Sequence, residues 1–205
     1  MSNEANELKD RNILVYDLET DDLDTATCNI VSFHAYSYKY DKYFNYLFGS
    51  NKKIIEKILD EHDVFVTYNG DNFDTKIISR VYNKQYNYTK PIDLLKIIQR
   101  RGTLVKYGGF KNKSLNNIAK ELELKNKKQE GFNYDILKDK ELVLKNVDLI
   151  FKYGQQDIEV TKELFEYLYN YFYFYREYLH KSDIISWSWM MSSPGTYAYK
   201  AICHL

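Results

Sequence analysis

Two carboxylates spaced two residues apart, Asp17 and Glu19, close the apolar run Ile13-Leu14-Val15-Tyr16. In a strand, side chains alternate faces, so Asp17 and Glu19 point one way and Leu18 the other. Neighbouring carboxylates repel, which costs stability unless a cation lies between them. A hard divalent ion is the natural partner for such oxygens. The competing reading is an apolar strand running into a solvated acidic turn, because Thr20, Asp21 and Asp22 follow. Two further stretches have the same double character. In Tyr68-Asn69-Gly70-Asp71-Asn72-Phe73-Asp74 a strand ends, the chain turns and Asp74 opens a helix. A carboxylate in a first helical turn is favoured by the helix dipole and need do no more than that. Tyr153 and Asp157 stand at i and i+4 on a late helix, where they share a face. They either project into one cleft or belong to an ordinary amphipathic helix.

The elements that must position these residues follow from periodicity. Ile30 to Tyr38 alternates as a half-buried strand does, and Tyr43 to Phe48 reads as a third strand. The short links make these three an antiparallel meander. Gly49-Ser50-Asn51 ends it, and Lys53 to Asp60 carries a helical stripe. Asp63 to Tyr68 is a short β-branched strand that stops at the turn signal Asn69-Gly70. Phe73 to Tyr82 reads as a helix, and Ile92 to Ile98 is apolar apart from Asp93 and Lys96. Ser114 is an N-cap for a helix with Leu115, Ile118, Ala119 and Leu122 on its apolar face. Lys125 to Asn133 is a charged loop. From about Leu142 to Leu179 the pattern is helical, as one helix or as two broken near Gly154. The order of elements predicts an α/β domain with a mixed β-sheet flanked by helices.

Taken together, the three stretches resemble the motifs of the DEDD family of 3′–5′ exonucleases, in its tyrosine-containing (DEDDy) branch. Asp-x-Glu stands at Asp17 and Glu19, Asn-x-x-x-Phe-Asp at Asn69, Phe73 and Asp74, and Tyr-x-x-x-Asp at Tyr153 and Asp157. The second motif is most similar to that of the proofreading exonuclease domain of family B DNA polymerases. The resemblance spans about residues 10 to 175 and implies a ribonuclease H-like fold. It implies that Asp17, Glu19, Asp74 and Asp157 hold two Mg²⁺ or Mn²⁺ ions. Tyr153 would then orient the attacking water or bond the scissile phosphate. Two such ions activate a water and neutralise the leaving oxygen. Asp71 fits the turn better than a ligand position, and Asn69 is assigned to the substrate or to the turn.

The run from Lys96 to Lys113 holds six basic residues and no acidic one. Arg100, Arg101, Lys106 and Lys111 are its candidates for sequence-blind phosphate contacts, against the alternative of a solvated loop. Phe73, Tyr107 and Phe110 are candidates for stacking on terminal bases. Lys plus Arg and Asp plus Glu each number 29, so a nucleic-acid surface has to be a local patch. The expected activity is removal of nucleotides from a single-stranded 3′ end, with DNA favoured. An RNA exonuclease and a non-catalytic accessory module are the alternatives.

At 205 residues the chain fits one domain with an appendage. Residues 1–10 read as a polar tail, 11–180 as the exonuclease domain, and 181–205 as a C-terminal extension or interface. That last segment, with Trp187, Trp189, Met190 and Met191, is read as a surface for a polymerase or for self-association. No apolar leader or membrane-length run is present, and the two cysteines form no CxxC pair. The expectation is a soluble intracellular protein without a membrane partner.

Overall fold

The computed structural model describes residues 8, 12–84, 90–99, 110, 112–128 and 131–181. Arg100, Arg101, Lys106, Tyr107 and Lys111, most of the 1–10 tail and the segment from 182 onward lie outside the described residues.

The strand that ends in the carboxylates is β1 (Ile13–Thr20), and it is the middle strand of a five-stranded sheet. It pairs antiparallel with β2 (Ile30–Ser37), which pairs antiparallel with β3 (Lys42–Leu47), so the meander is as expected. On its other side β1 runs parallel to β4 (Val64–Thr67), and β4 parallel to β5 (Lys90–Asp93). The order β3-β2-β1-β4-β5 makes a mixed sheet. The fifth strand is not among the expected elements; it contains Pro91 and overlaps only the start of the apolar stretch Ile92 to Ile98. β5 is an edge strand, where a residue without an N–H donor is tolerated.

Helices cover both faces. One face of β1 carries Leu14, Tyr16 and Leu18, which pack with Phe33, Phe65, Ile55, Leu59, Ile77 and Ile78. This face is covered by α1 (Phe48–Asp60) and α2 (Asp74–Tyr82). The opposite face carries Ile13, Val15, Val64, Val66 and Tyr36. It lies under α3 (Leu94–Gln99), α4 (Leu115–Glu121) and the long α6 (Val147–Lys181). A short α5 (Lys140–Lys145) precedes α6, and Tyr134–Lys138 forms a 3₁₀ turn before it. Covered from both sides, β2 is buried nearly throughout and is not the half-buried strand its alternation implied. α1 starts at Phe48, so Gly49-Ser50-Asn51 forms its first turn instead of a link to it. Phe48 is buried and holds that turn down.

The late helical stretch breaks at Asn146, not near Gly154. Asn146 leaves helical geometry (φ −120°, ψ 24°), and its side-chain amide donates to the Leu142 carbonyl at 2.7 Å. Ser114 caps α4 as expected, its oxygen accepting from the Asn117 N–H. Phe110 is buried in the core at 5% exposure, which removes it as a base-stacking surface. Among the described residues no helix is long and apolar enough to cross a membrane.

The turn after β4 is built around Asn69, in the left-handed region at φ 67°, and Gly70. A Cβ on Gly70 would lie 2.5 Å from Cβ of Thr67, a buried β-branched residue with nowhere to move. Gly70→Ala should therefore destabilise the protein by about 1–3 kcal/mol, the usual cost of overpacking. A urea midpoint equal to wild type would show that the turn has slack.

Candidate functional site

The end of β1 presents Asp17 and Glu19 on the face that α6 covers, and α6 brings Asp157 to meet them. One carboxylate oxygen from each of Asp17, Glu19 and Asp157 lies within 4.8 Å of the other two. Glu19 and Asp157 are buried, at 6% and 4% exposure, and Asp17 is half-buried. Asp74 reaches the group from the opposite face. It opens α2, and its Oδ1 accepts from the Leu18 N–H at 3.0 Å, between the two β1 carboxylates. The four predicted carboxylates thus converge on one end of β1. Three form the tight cluster, with Asp74 beside them as a like charge.

Burial and like charge push these groups in one direction. Asp17 is raised well above the ordinary carboxylate range, first by burial and then by Asp74, Glu19 and Asp157. Glu19 is pushed up to about 8 by burial and Asp157. Asp74 is pushed up to about 7 by burial, although two backbone N–H groups pull it down. Asp157 is raised by burial against the opposing pull of Lys128.

Lys128 is the residue that sequence reasoning missed. Its ammonium lies 2.5 Å from Asp157 Oδ2, and its charge also lowers Asp17 and Glu19. The loop is anchored so that it can do this. Glu163 on α6 accepts from the Lys125 and Asn126 N–H groups, each at 2.8 Å. Four consecutive charged or polar residues, Lys125 to Lys128, read only as a solvated loop; the sole signal was an excess of lysine.

Tyr153 is buried at 2% exposure beside the cluster. Phe132 stacks on its ring at 4.2 Å between centroids, and Lys128 lies over it at 4.7 Å. Its hydroxyl is 2.5 Å from that of Tyr134, another residue not foreseen. Burial and Asp157 raise the Tyr153 pKa far above the ordinary range, so the phenol stays protonated.

The second motif divides by role. Asp71 forms an ion pair with Lys96 and stays out of the cluster, as its turn position implied. Asn69 shapes the turn: its N–H donates to Asp93 Oδ1 at 2.9 Å, and its own Oδ1 accepts from Asn72. Asp93 also accepts from the Asp71 and Leu95 N–H groups, so a buried carboxylate on β5 fastens the loop that aims Asp74. Phe73 is half-buried against the core of its face.

The donor set fits a divalent cation. It is all oxygen, it has excess negative charge, and Asp157 Oδ1 is buried with no hydrogen-bond partner.

A family model described as RNase_H superfamily matches residues 14–169. The chain belongs to the RNase_H superfamily. Among solved structures it is similar to the family B DNA polymerase from the hyperthermophilic archaeon Pyrobaculum calidifontis. The TM-score is 0.56 at 16% identity, over 78% of this chain and 25% of that one. The likeness is one of fold, it takes in only a quarter of the polymerase chain, and it agrees with the resemblance read from the motifs. No curated protein matches the chain.

In the metal-free protein, Glu19 contributes stability that is present below its unfolded pKa and lost as pH rises through about 8. Glu19→Gln mimics the protonated form. It should raise the melting temperature relative to wild type, and by more at alkaline than at acidic pH. The scale is roughly 2–4 °C per kcal/mol of repulsion relieved. Thermal melts in chelator across that range check this, and a pH-independent difference would contradict it.

Proposed function

We propose that this chain is a metal-dependent 3′–5′ exonuclease acting on single-stranded nucleic acid. The observation that carries the reading is the buried convergence of Asp17, Glu19 and Asp157, with Asp74 beside them. In a member of the RNase_H superfamily this is a nuclease-like donor set. Asp17, Glu19, Asp74 and Asp157 would hold two Mg²⁺ or Mn²⁺ ions. When bound, the ions supply a nucleophilic water and neutralise the leaving oxygen.

The chain's own groups do the remaining work. Tyr153, held protonated, is a hydrogen-bond donor and not a base, which suits it to fix a water or a phosphate oxygen. Phe132 and Lys128 hold its ring in place. Asp93 and Gly70 keep the turn that delivers Asp74. The choice of DNA over RNA, the polarity from the 3′ end and a setting in replication proofreading rest on the resemblance to family B polymerases. Phosphate contacts by Arg100, Arg101, Lys106 and Lys111 belong to the same reading, as does an interface at 181–205 for a polymerase or a second copy.

The test is release of mononucleotides from oligonucleotides labelled at one end, run on DNA and RNA. Activity should require Mg²⁺ or Mn²⁺, vanish in chelator and stop at a blocked 3′ end. Full activity in chelator, or equal digestion of a blocked end, would refute the proposal. Asp17→Ala, Glu19→Ala, Asp74→Ala and Asp157→Ala should each fall to the chelated background while remaining folded. Tyr153→Phe removes one donor and no ligand, so kcat should drop by roughly 10²-fold. Asp71→Ala should stay active, because its partner is Lys96. An Asp71→Ala as inactive as Asp74→Ala would mean that the second motif has been assigned wrongly.

A further inference from the structure

Behind the carboxylates, a row of polar side chains crosses the otherwise apolar face under α6. The register pairs Asp17 with His34 and His34 with Asn45. Residues directly opposite in antiparallel strands share a face, so the three stand side by side across β1, β2 and β3. His34 is fully buried. Its Nδ1 is 2.8 Å from Asn45 Oδ1, and its Nε2 is 2.8 Å from Ser32 Oγ. Asn45 uses its amide nitrogen to donate to Gln155 Oε1 at 3.0 Å, which leaves Asn45 Oδ1 as an acceptor. His34 therefore carries its proton on Nδ1, and the Ser32 hydroxyl donates to Nε2. Burial pushes the imidazole down to about 4 and keeps it neutral. From Gln155 the chain of bonds passes to Glu159 at 3.0 Å, so it ends on α6, beside Tyr153 and Asp157.

The same ring bears directly on the helix backbone. A Cβ at Gly154 would lie 2.2 Å from His34 Cδ2 and 2.3 Å from Nε2, closer than real side chains come. One turn earlier, Phe151 meets the imidazole edge-on at 6.0 Å. Glycine inside a helix costs about 1 kcal/mol relative to alanine, so an unbroken α6 needs a packing reason for Gly154. The ring of His34 is that reason.

We propose that His34 is a positioning residue, whose ring stops α6 at the height and rotation that carry Asp157 and Tyr153 into the carboxylate cluster. The proposal rests on the metal-site reading above and deepens it. His34 acts through Gly154 by contact and through Gln155 by way of Asn45. It is not one of the three clustered carboxylates. A methyl group added at Gly154 lifts the turn that bears Asp157 away from Asp17 and Glu19, and removing the ring gives that methyl room.

The test is Mn²⁺ binding, followed by loss of the free-ion electron paramagnetic resonance signal, with no nucleic acid present. The proteins are wild type, Gly154→Ala, His34→Ala, the double variant and Asn45→Ala, with circular dichroism and thermal melts in parallel. Gly154→Ala should weaken Mn²⁺ binding by about 10–100-fold, the size typical of groups that support metal ligands. The double variant should regain most of that affinity even though it melts below wild type. His34→Ala and Asn45→Ala should stay folded and lose affinity by smaller factors. In turnover assays kcat should follow the Mn²⁺ affinity while KM stays put. Gly154→Ala binding as tightly as wild type, or a folded double variant with no recovery, overturns the proposal. Should Gly154→Ala fail to fold, the other two single variants decide, and Mn²⁺ affinity at the wild-type level in both overturns it. Wild-type protein that binds no Mn²⁺ overturns the metal-site reading itself, and the positioning role with it.

Discussion

Three carboxylate oxygens within 4.8 Å of one another, in a place largely closed to water, cannot all be charged without a compensating cation. At an effective dielectric constant of about 20, two unit charges that far apart repel by roughly 3.5 kcal/mol. Net stability is usually only about 5–15 kcal/mol, so several such pairs are a large burden. The protein relieves it in two ways. Within the cluster Asp17 is raised well above the ordinary carboxylate range and Glu19 is pushed up to about 8, so protons take the place of charge. Lys128 supplies one positive charge at Asp157. Both are reversible, and under the proposed function both would give way to a divalent ion. The fold around the cluster makes sense as the frame that forces these groups together.

Much of that frame was legible in the sequence because it is written in local patterns. An apolar run ending in carboxylates marked β1, alternation marked β2, a short polar turn set off β3, the β-branched run marked β4, and Ser114 announced its helix. Period two sets Asp17 and Glu19 on one face of β1, and i, i+4 sets Tyr153 and Asp157 on one face of α6. That Asp157 meets the strand pair was implied only by the resemblance. What escaped depends on contacts between distant segments. Burial of β2 on both faces follows from α6 and α1 packing on opposite sides, which alternation within β2 does not reveal. The edge strand β5 is only four residues long and carries no alternation to announce it. Gly154 resembled a helix break, yet a Cβ there would collide with the ring of a residue 120 positions earlier.

Lys128 and His34 show the same limit at the site. A lysine in a charged loop looks solvated until Glu163 is seen to anchor the loop over the carboxylates. A histidine in the middle of a strand looks like core until its neighbours on β3 and α6 are known. Each is polar, each sits within one contact of the predicted cluster, and neither belongs to a motif. Motifs identify the groups that face the chemistry. The groups that hold them in register come from packing, and only the structure reveals them.

The carboxylate cluster, paired with Lys128 through Asp157, is proposed as a divalent-cation site. Anomalous diffraction at the manganese edge, on crystals prepared with and without Mn²⁺, tests it most directly. An anomalous peak is expected among Asp17, Glu19 and Asp157, with the Lys128 ammonium withdrawn from Asp157. No peak at saturating Mn²⁺, with Lys128 still paired to Asp157, would contradict it.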